Sequence, residues 1–387
     1  MRRIYLDNGA TTWPKPAGVL DAVDQFLRIG GATAGRGIYQ QAIDTATAID
    51  KARAGIAQLI GAADAHRIIF TAGGTDSLNL ALHGLLRGGD HVVTSVAEHN
   101  SVLRPLRAIE DTLGIQVSRI GCDASGRIDE EEVCQAIGQK TRLVVLSHAS
   151  NVTGVIQPTD RIGDLAREHE AFFLIDAAQT AGQLPINVES LQTDLLAAPG
   201  HKGLLGPLGS GILYVGPRAE EQLIPMRQGG TGSESESDRQ PEALPERMEA
   251  GNLNVPGIVG LAAGVEYLLE KDVSAIRAHH LALRELLCSG LEKMQNITLY
   301  GPMSQECVGV VSFSISGYAP QEVAAMLDSA YGIQVRAGYH CAADIHDTIG
   351  SRETGGTVRI SLGPFNDEVQ IAQVLKAVGQ IATEAPI

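Results

Sequence analysis

Residues 142–180 read RLVVLSHASNVTGVIQPTDRIGDLAREHEAFFLIDAAQT. Two β-rich apolar runs, RLVVLSH at 142–148 and AFFLID at 171–176, flank a stretch with helical patterning. Strands separated by a helix cannot form a hairpin; they require a crossover, and hence a parallel pair covered on both faces. The same alternation extends outward through RIIFT (67–71), HVVTSV (91–96), IQVSRI (115–120) and GILYVG (211–216), so residues from about 45 to 215 are expected to form an α/β domain on a mainly parallel sheet. Ligands of such sheets bind beyond the carboxyl ends of the strands. The segments that follow the runs, AGGTDS, AEHNS, ASNVTG and DAAQT, are therefore where chemistry is expected.

Residues 228–254, QGGTGSESESDRQPEALPERMEAGNLN, are polar and show no helical period. A loop this long in a compact domain is functional or disordered. Beyond it, 256–270 and 273–294 read as two amphipathic helices. Strands at ITLYG, VGVVSFSI, IQVRAG and TVRISL follow, with a helix near 320–330 and a last one from about 366. That segregated order predicts a smaller α+β domain.

A chain of 387 residues, 44% of them hydrophobic, can bury a core large enough for two domains. Its formal charge of -15, with no cluster of Lys and Arg, argues against nucleic-acid or membrane-surface binding. The start, MRRIYLDNGATTWP, lacks the apolar core of a signal peptide, and no apolar run reaches membrane-spanning length, so a cytoplasmic protein is expected. Five scattered cysteines (Cys122, Cys134, Cys288, Cys307, Cys341) with no CxxC pair predict neither a metal site nor a redox dithiol. Cys134 and Cys288 fall in helical patterns and read as small apolar side chains.

Lys202 stands as the one formally charged residue in APGHKGLLGP, residues 198–207. A dry glycine-rich loop lowers a lysine's pKa and makes it a nucleophile, although an isolated lysine more often packs its stem and lets its head snorkel out. A P-loop is ruled out because Gly203, not Ser or Thr, follows. Asp176 closes the apolar run AFFLID and needs a cation or several donors there, unless it merely caps a turn. Gly74 and Thr75 lead into a helix, where free amides bind phosphate, though Thr75 alone could be a plain N-cap. His99 follows HVVTSV and suits a ring cover or a proton carrier, or an ordinary satisfied histidine. Taken together, a phosphate grip, a ring cover, a ring-nitrogen partner and a buried amine are the set pyridoxal phosphate (PLP) requires.

The segments YLDNGATT, AGGTDSLNLAL, AEHNSVLRPL, HASNVTGVIQP, LIDAAQTAG, PGHKGLLGPLGSGILYV, EAGNLNVPGIVGL, RAGYHCA and TVRISLGPFN resemble, in collinear order over nearly the whole chain, those of the cysteine desulfurases and selenocysteine lyases, PLP enzymes of the class V aminotransferase group. The resemblance implies PLP fold type I, with a mainly parallel seven-stranded sheet in a large PLP-binding domain at 16–260 and a small domain made of 1–15 with 261–387. It implies that Lys202 holds PLP as a Schiff base, Asp176 pairs with the ring nitrogen and His99 stacks on the ring. Gln179 and Asn151 would lie near the phenolic oxygen, Asn151 also near the substrate carboxylate, with Thr75 and His201 at the phosphate. Arg359, in TVRISL, matches the arginine that clamps that carboxylate, a task suited to a planar fork of donors.

Cys341, in RAGYHCA near Arg336, sits in a locally cationic setting that favours thiolate. By resemblance it attacks the sulfur of L-cysteine, forming a persulfide for an acceptor protein, in the manner of iron-sulfur cluster assembly, and leaving L-alanine; the short spacing to TVRISL resembles the branch that includes lyases acting on L-selenocysteine. The family pattern departs at Pro199, where serine is frequent, at Tyr339, where histidine is, and at Asn252, where a threonine from the neighbouring subunit contacts phosphate. A homodimer is thus implied, with the 228–254 loop at the interface and Thr231, Ser233 and Arg36 reaching toward the partner. An aminotransferase or other C–S lyase on the same scaffold, or a non-catalytic sulfur-relay protein, are the competing expectations.

Overall fold

The computed structural model describes residues 3–35, 37–233 and 236–384. After a first short strand, β1 (Ile4–Tyr5), the chain lays down β2 (Ile68–Thr71), β3 (His91–Ser95), β4 (Gln116–Ile120), β5 (Thr141–Ser147), β6 (Phe172–Asp176), β7 (Leu195–Pro199) and β8 (Gly211–Val215). Among the described residues these last seven form one sheet in the order β2-β8-β7-β6-β5-β3-β4. Every pair is parallel except those made by β8, which runs antiparallel to both β2 and β7.

The connecting helices are α1 (Ala17–Gln25), α2 (Gln40–Ile60), α3 (Gly74–Leu85), α4 (Asn100–Leu113), α5 (Glu130–Ala136), α6 (Thr159–Glu168) and α7 (Pro217–Glu220), followed by α8 (Val255–Lys271). The period of two along each strand sorts its side chains between two helical layers. Val144, Leu146, Phe173 and Ile175 pack with Ile49, Ile56, Ile162 and Leu165 on one face. Leu143, Val145 and Leu174 pack with Leu78, Leu82, Val102 and Leu106 on the other. Being covered twice is why these strands read as unbroken apolar runs. Helix α8 continues through residue 260 without a break, and its Leu261, Val265 and Leu268 belong to the first of these cores.

Strand β7 was not among the runs picked out of the sequence. Its residues, LLAAP, carry no β-branched side chain, so propensity is silent, yet all five are buried between β6 and β8. The long loop after β8 is pinned from below. Arg53 of α2 is 5% exposed and forms a bidentate ion pair with Glu249, which is 8% exposed and also accepts the Phe70 amide at 2.6 Å. The Arg53 guanidinium lies 4.5 Å above the Phe70 ring.

The remainder comprises α9 (Val273–Leu291), β9 (Ile297–Tyr300), β10 (Val310–Ile315), α10 (Pro320–Tyr331), β11 (Ile333–Gln334), β12 (Arg336–Gly338), α11 (Ile345–Thr348), β13 (Thr357–Ser361) and α12 (Glu368–Thr383). Antiparallel pairing gives a second sheet, β12-β13-β10-β9, while β1 pairs in parallel with β11. The run IQVRAG, read as one strand, thus divides at Val335 between two sheets. Among the described residues no helix is long and apolar enough to cross a membrane.

Candidate active site

A cavity of about 240 Å³ opens where the carboxyl ends of β5, β6 and β7 meet the N-termini of α3 and α4 and the edge of the second sheet. Gly74, Thr75, His99, Asn151, Asp176, Gln179, His201, Lys202, Cys341 and Arg359 all line it, although they are spread over 286 positions of sequence span from 74 to 359. Asn252 does not; it lies exposed at a separate cavity of about 630 Å³ with Thr231, Ser233, Arg53 and Glu249. Arg36 is outside the described residues.

Lys202 follows β7 in a loop compressed against its neighbour. A Cβ on Gly203 would meet the Ala181 carbonyl oxygen at 2.3 Å, and one on Gly182 would meet that of Gly203 at 2.2 Å, so the two backbones can approach only as glycines. The first residues of the chain grip the lysine's peptide. The His201 carbonyl accepts Lys15 Nζ at 2.7 Å, the Thr12 amide at 3.0 Å and Thr11 Oγ1 at 3.2 Å, while Thr12 Oγ1 donates to the Lys202 carbonyl at 2.7 Å. Lys202 is half-buried, its accessible part lining the cavity. Desolvation, partly opposed by the nearby Asp176, lowers its amine to about 8, so a usable fraction is neutral near physiological pH.

Asp176 ends β6 and is 5% exposed. Burial raises its carboxyl, against the opposing pull of the Ala178 amide, which donates to Oδ1 at 2.9 Å, and of Lys202. His99 is the N-cap of α4; its Nδ1 accepts the Ser101 amide at 3.0 Å, which leaves the ring proton on Nε2. Desolvation first, then Lys202, holds this imidazole down at about 4, so it is neutral. Gly74 and Thr75 form the first turn of α3, whose N-cap Gly73 supplies no side-chain cap and whose leading amides lack intrahelical partners. Thr75 Oγ1 and Ser101 Oγ, 2.7 Å apart, link this turn to that of α4.

Two further groups line the cavity from β13 and from the turn after β12. Arg359, on β13, is 2% exposed; Nη2 donates to Asp7 at 2.8 Å and Nη1 to the Asn151 carbonyl at 3.0 Å, but buried Nε has no partner among the described residues. Cys341 Sγ lies 3.6 Å from Arg336 Nη2. His340 and Cys341 both take left-handed backbone angles, with φ of 50° and 64°. Consecutive non-glycine residues in that region are costly, and such strain gathers at functional sites. The turn is held by Asn151 Nδ2, which donates to the His340 carbonyl, and by the Asn100 amide, which donates to that of Cys341 at 2.8 Å.

These residues fit PLP. Free first-turn amides with Thr75 suit its phosphate, and Asp176 keeps lone pairs for a ring N–H. His201 Nδ1 and the Arg359 Nε–H donor are buried with no hydrogen-bond partner among the described residues. Sequence reading passed over Glu98, Ser101, Ser147 and the Thr11–Thr12–Lys15 grip. Glu98 stood in the quoted AEHNS, but a carboxylate after a strand carries no mark of whether it turns inward.

Comparison with known proteins agrees with the geometry. Residues 4–374 match the family described as aminotransferase class V. A probable cysteine desulfurase of Methanothermobacter thermautotrophicus is 34% identical over 382 residues, covering 98% of this chain and 94% of that protein. A cysteine desulfurase of Escherichia coli is 31% identical over 385 residues, 97% of this chain and 93% of that protein. The apo structure of cysteine desulfurase from Thermococcus onnurineus NA1 superposes with a TM-score of 0.93 at 33% identity, covering 99% of this chain and 95% of that one. The chain belongs to the PLP-dependent class V aminotransferase family, among its cysteine desulfurases.

Proposed function

We propose that the protein converts L-cysteine to L-alanine and retains the sulfur as a persulfide on Cys341 for delivery to an acceptor protein. One observation carries this reading: a thiol beside a guanidinium, Cys341 with Arg336, shares a cavity with a lysine whose amine is lowered to about 8. When bound, PLP supplies the electron sink that makes the substrate's α-carbon acidic. The chain's own groups do the rest. Arg359 binds the substrate carboxylate, with Asn151 beside it. His99, neutral, covers one face of the site, Asp176 fixes a cationic ring nitrogen, and Thr75, Gly74 and His201 hold the phosphate. Lys202 Nζ takes the α-proton. Cys341 Sγ attacks the substrate sulfur: an S–S bond forms, the C–S bond breaks with its electron pair left on carbon, and protonation of that carbon, followed by return of a proton from Lys202 Nζ to the α-carbon, completes alanine. L-selenocysteine presents the same α-ammonium and carboxylate groups and is proposed as a second substrate.

We also infer a homodimer. Leu27, Ile29, Ile38, Tyr39 and Ile43 leave apolar surface exposed over one stretch of chain, and Asn252, Thr231 and Ser233 line a cavity away from Lys202, where a second copy could present its own site. The unpaired thiols of all five cysteines suit a cytoplasmic location. Brief exposure of the holoenzyme to L-cysteine, followed by mass analysis, is expected to find one added sulfur on the peptide containing residue 341. Sulfur absent from that peptide while alanine accumulates overturns the assignment of Cys341; transamination without sulfide or persulfide overturns the whole reading.

A further inference from the structure

Glu98 lies in the turn between β3 and α4, immediately before His99, and is 1% exposed. Its carboxyl is surrounded by donors. Ser95 Oγ reaches Oε1 at 2.6 Å, and Oε2 receives both the amide and the hydroxyl of Ser147 at 2.8 Å. Ser147 is the last residue of β5 and sits directly opposite Asp176 in the parallel β5–β6 pair. Glu98 therefore joins the loop that presents His99 to the strand tip beside Asp176. Among the described residues no cation pairs with it.

The charged groups around this carboxyl are few. Asp176, at the end of β6, is the charge that acts on it, and Lys202, from the loop after β7, acts in turn on Asp176. Ser147 is its neighbour from β5, and His99, next in the chain, is neutral. Two buried carboxylates in one low-dielectric site do not both stay ionised, and the one without a cation takes the proton. Protonation keeps the contacts: a proton on Oε1 can donate to Ser95 Oγ, which also accepts the Ala97 amide at 3.1 Å, and both Ser147 bonds to Oε2 remain.

We propose that Glu98 is a positioning residue, a neutral carboxyl that locks the His99 loop to the tip of β5 and leaves Asp176 as the charged member of the pair. Burial supports it by raising the Glu98 carboxyl to about 7. The proposal rests on the PLP site described above, yet the apoprotein tests it too.

The sign follows from linkage. A carboxyl raised in the folded state contributes stability below its unfolded value of 4.5 and loses it as pH rises through about 7. Glu98→Gln is always neutral. Relative to this variant, the wild-type apoprotein is expected to lose melting temperature between pH 5 and 8. Ser95→Ala removes a donor that favours the ionised form, and it should move that loss to higher pH. In the holoenzyme, Glu98→Ala is expected to lower kcat about tenfold or more, and Glu98→Gln to restore most of that loss. The pH titration of the bound cofactor's visible band, recorded without substrate, should lose one ionisation in Glu98→Gln. A melting difference between wild type and Glu98→Gln that does not vary with pH overturns the proposal, as does equal damage by Gln and Ala. If the wild type holds PLP but makes no persulfide, the functional reading fails while the melting and cofactor-band measurements still decide the role of Glu98.

Discussion

Replacing Arg359 with lysine separates charge from shape. The arginine commits Nη2 to Asp7 at 2.8 Å and Nη1 to the Asn151 carbonyl at 3.0 Å, and its Nε has no partner among the described residues. A lysine in its place can still neutralise Asp7, whose side chain is 22% exposed, so the protein is expected to fold. It cannot also offer a planar fork to a carboxylate. A hydrogen bond to a charged group is worth about 1.5–3 kcal/mol, which at about 1.4 kcal/mol per tenfold predicts a fall in kcat/KM of roughly 10- to 150-fold for each such bond lost. The loss should appear mainly as a higher KM for L-cysteine, measured by sulfide and alanine release over a range of substrate concentrations. Arg359→Ala leaves Asp7 unpaired in a largely buried setting and should also destabilise the fold by about 3–5 kcal/mol. An Arg359→Lys enzyme that melts normally and keeps its kcat/KM would show that the guanidinium is only a strut between β13 and the start of the chain.

Cys341→Ala should keep PLP and the fold yet yield no persulfide, read by mass analysis; retained desulfuration would move the nucleophile elsewhere. With the Lys202 amine at about 8, its neutral fraction climbs from about a tenth at pH 7 to about nine-tenths at pH 9, so PLP uptake by apoprotein should quicken close to tenfold over that interval. A flat profile in rapid-mixing absorbance would contradict a desolvated amine. Thr12→Val removes the hydroxyl that donates to the Lys202 carbonyl and should cost about 1–3 kcal/mol in denaturant unfolding. Glu249→Ala leaves Arg53 buried and unpaired, and about 3–5 kcal/mol of stability should go with it in the same assay.

The sequence made some of this legible and hid the rest for physical reasons. Lys202 and Asp176 stood out because each was a charge against an apolar background, which local reading can detect. The sheet was visible wherever a strand carried β-branched residues and vanished at LLAAP, whose burial between β6 and β8 is a tertiary fact. IQVRAG looked like one strand because alternation cannot show that Ile333–Gln334 and Arg336–Gly338 pair with different partners. The cavity's assembly from β6, β7, β12 and β13 required long-range closure, and no spacing rule links Thr12 to a carbonyl 190 positions away. Glu98 was hidden as well: Ser95 is 3 residues away but Ser147 is 49, and a buried carboxyl held by serines leaves no periodic signature.

The opening segment of the chain behaves as a gauge bar. Within a few residues it pairs Asp7 with Arg359, seats the Gly9 amide on Ser361 Oγ at 2.8 Å and fastens Thr12 to Lys202. The separation between Arg359, proposed to grip the substrate, and Lys202, proposed to carry the cofactor, is thus ruled off by a single short ribbon. Adding or deleting one residue between positions 7 and 12 would detune both at once, so grafting a relative's start onto this chain must transfer that span whole.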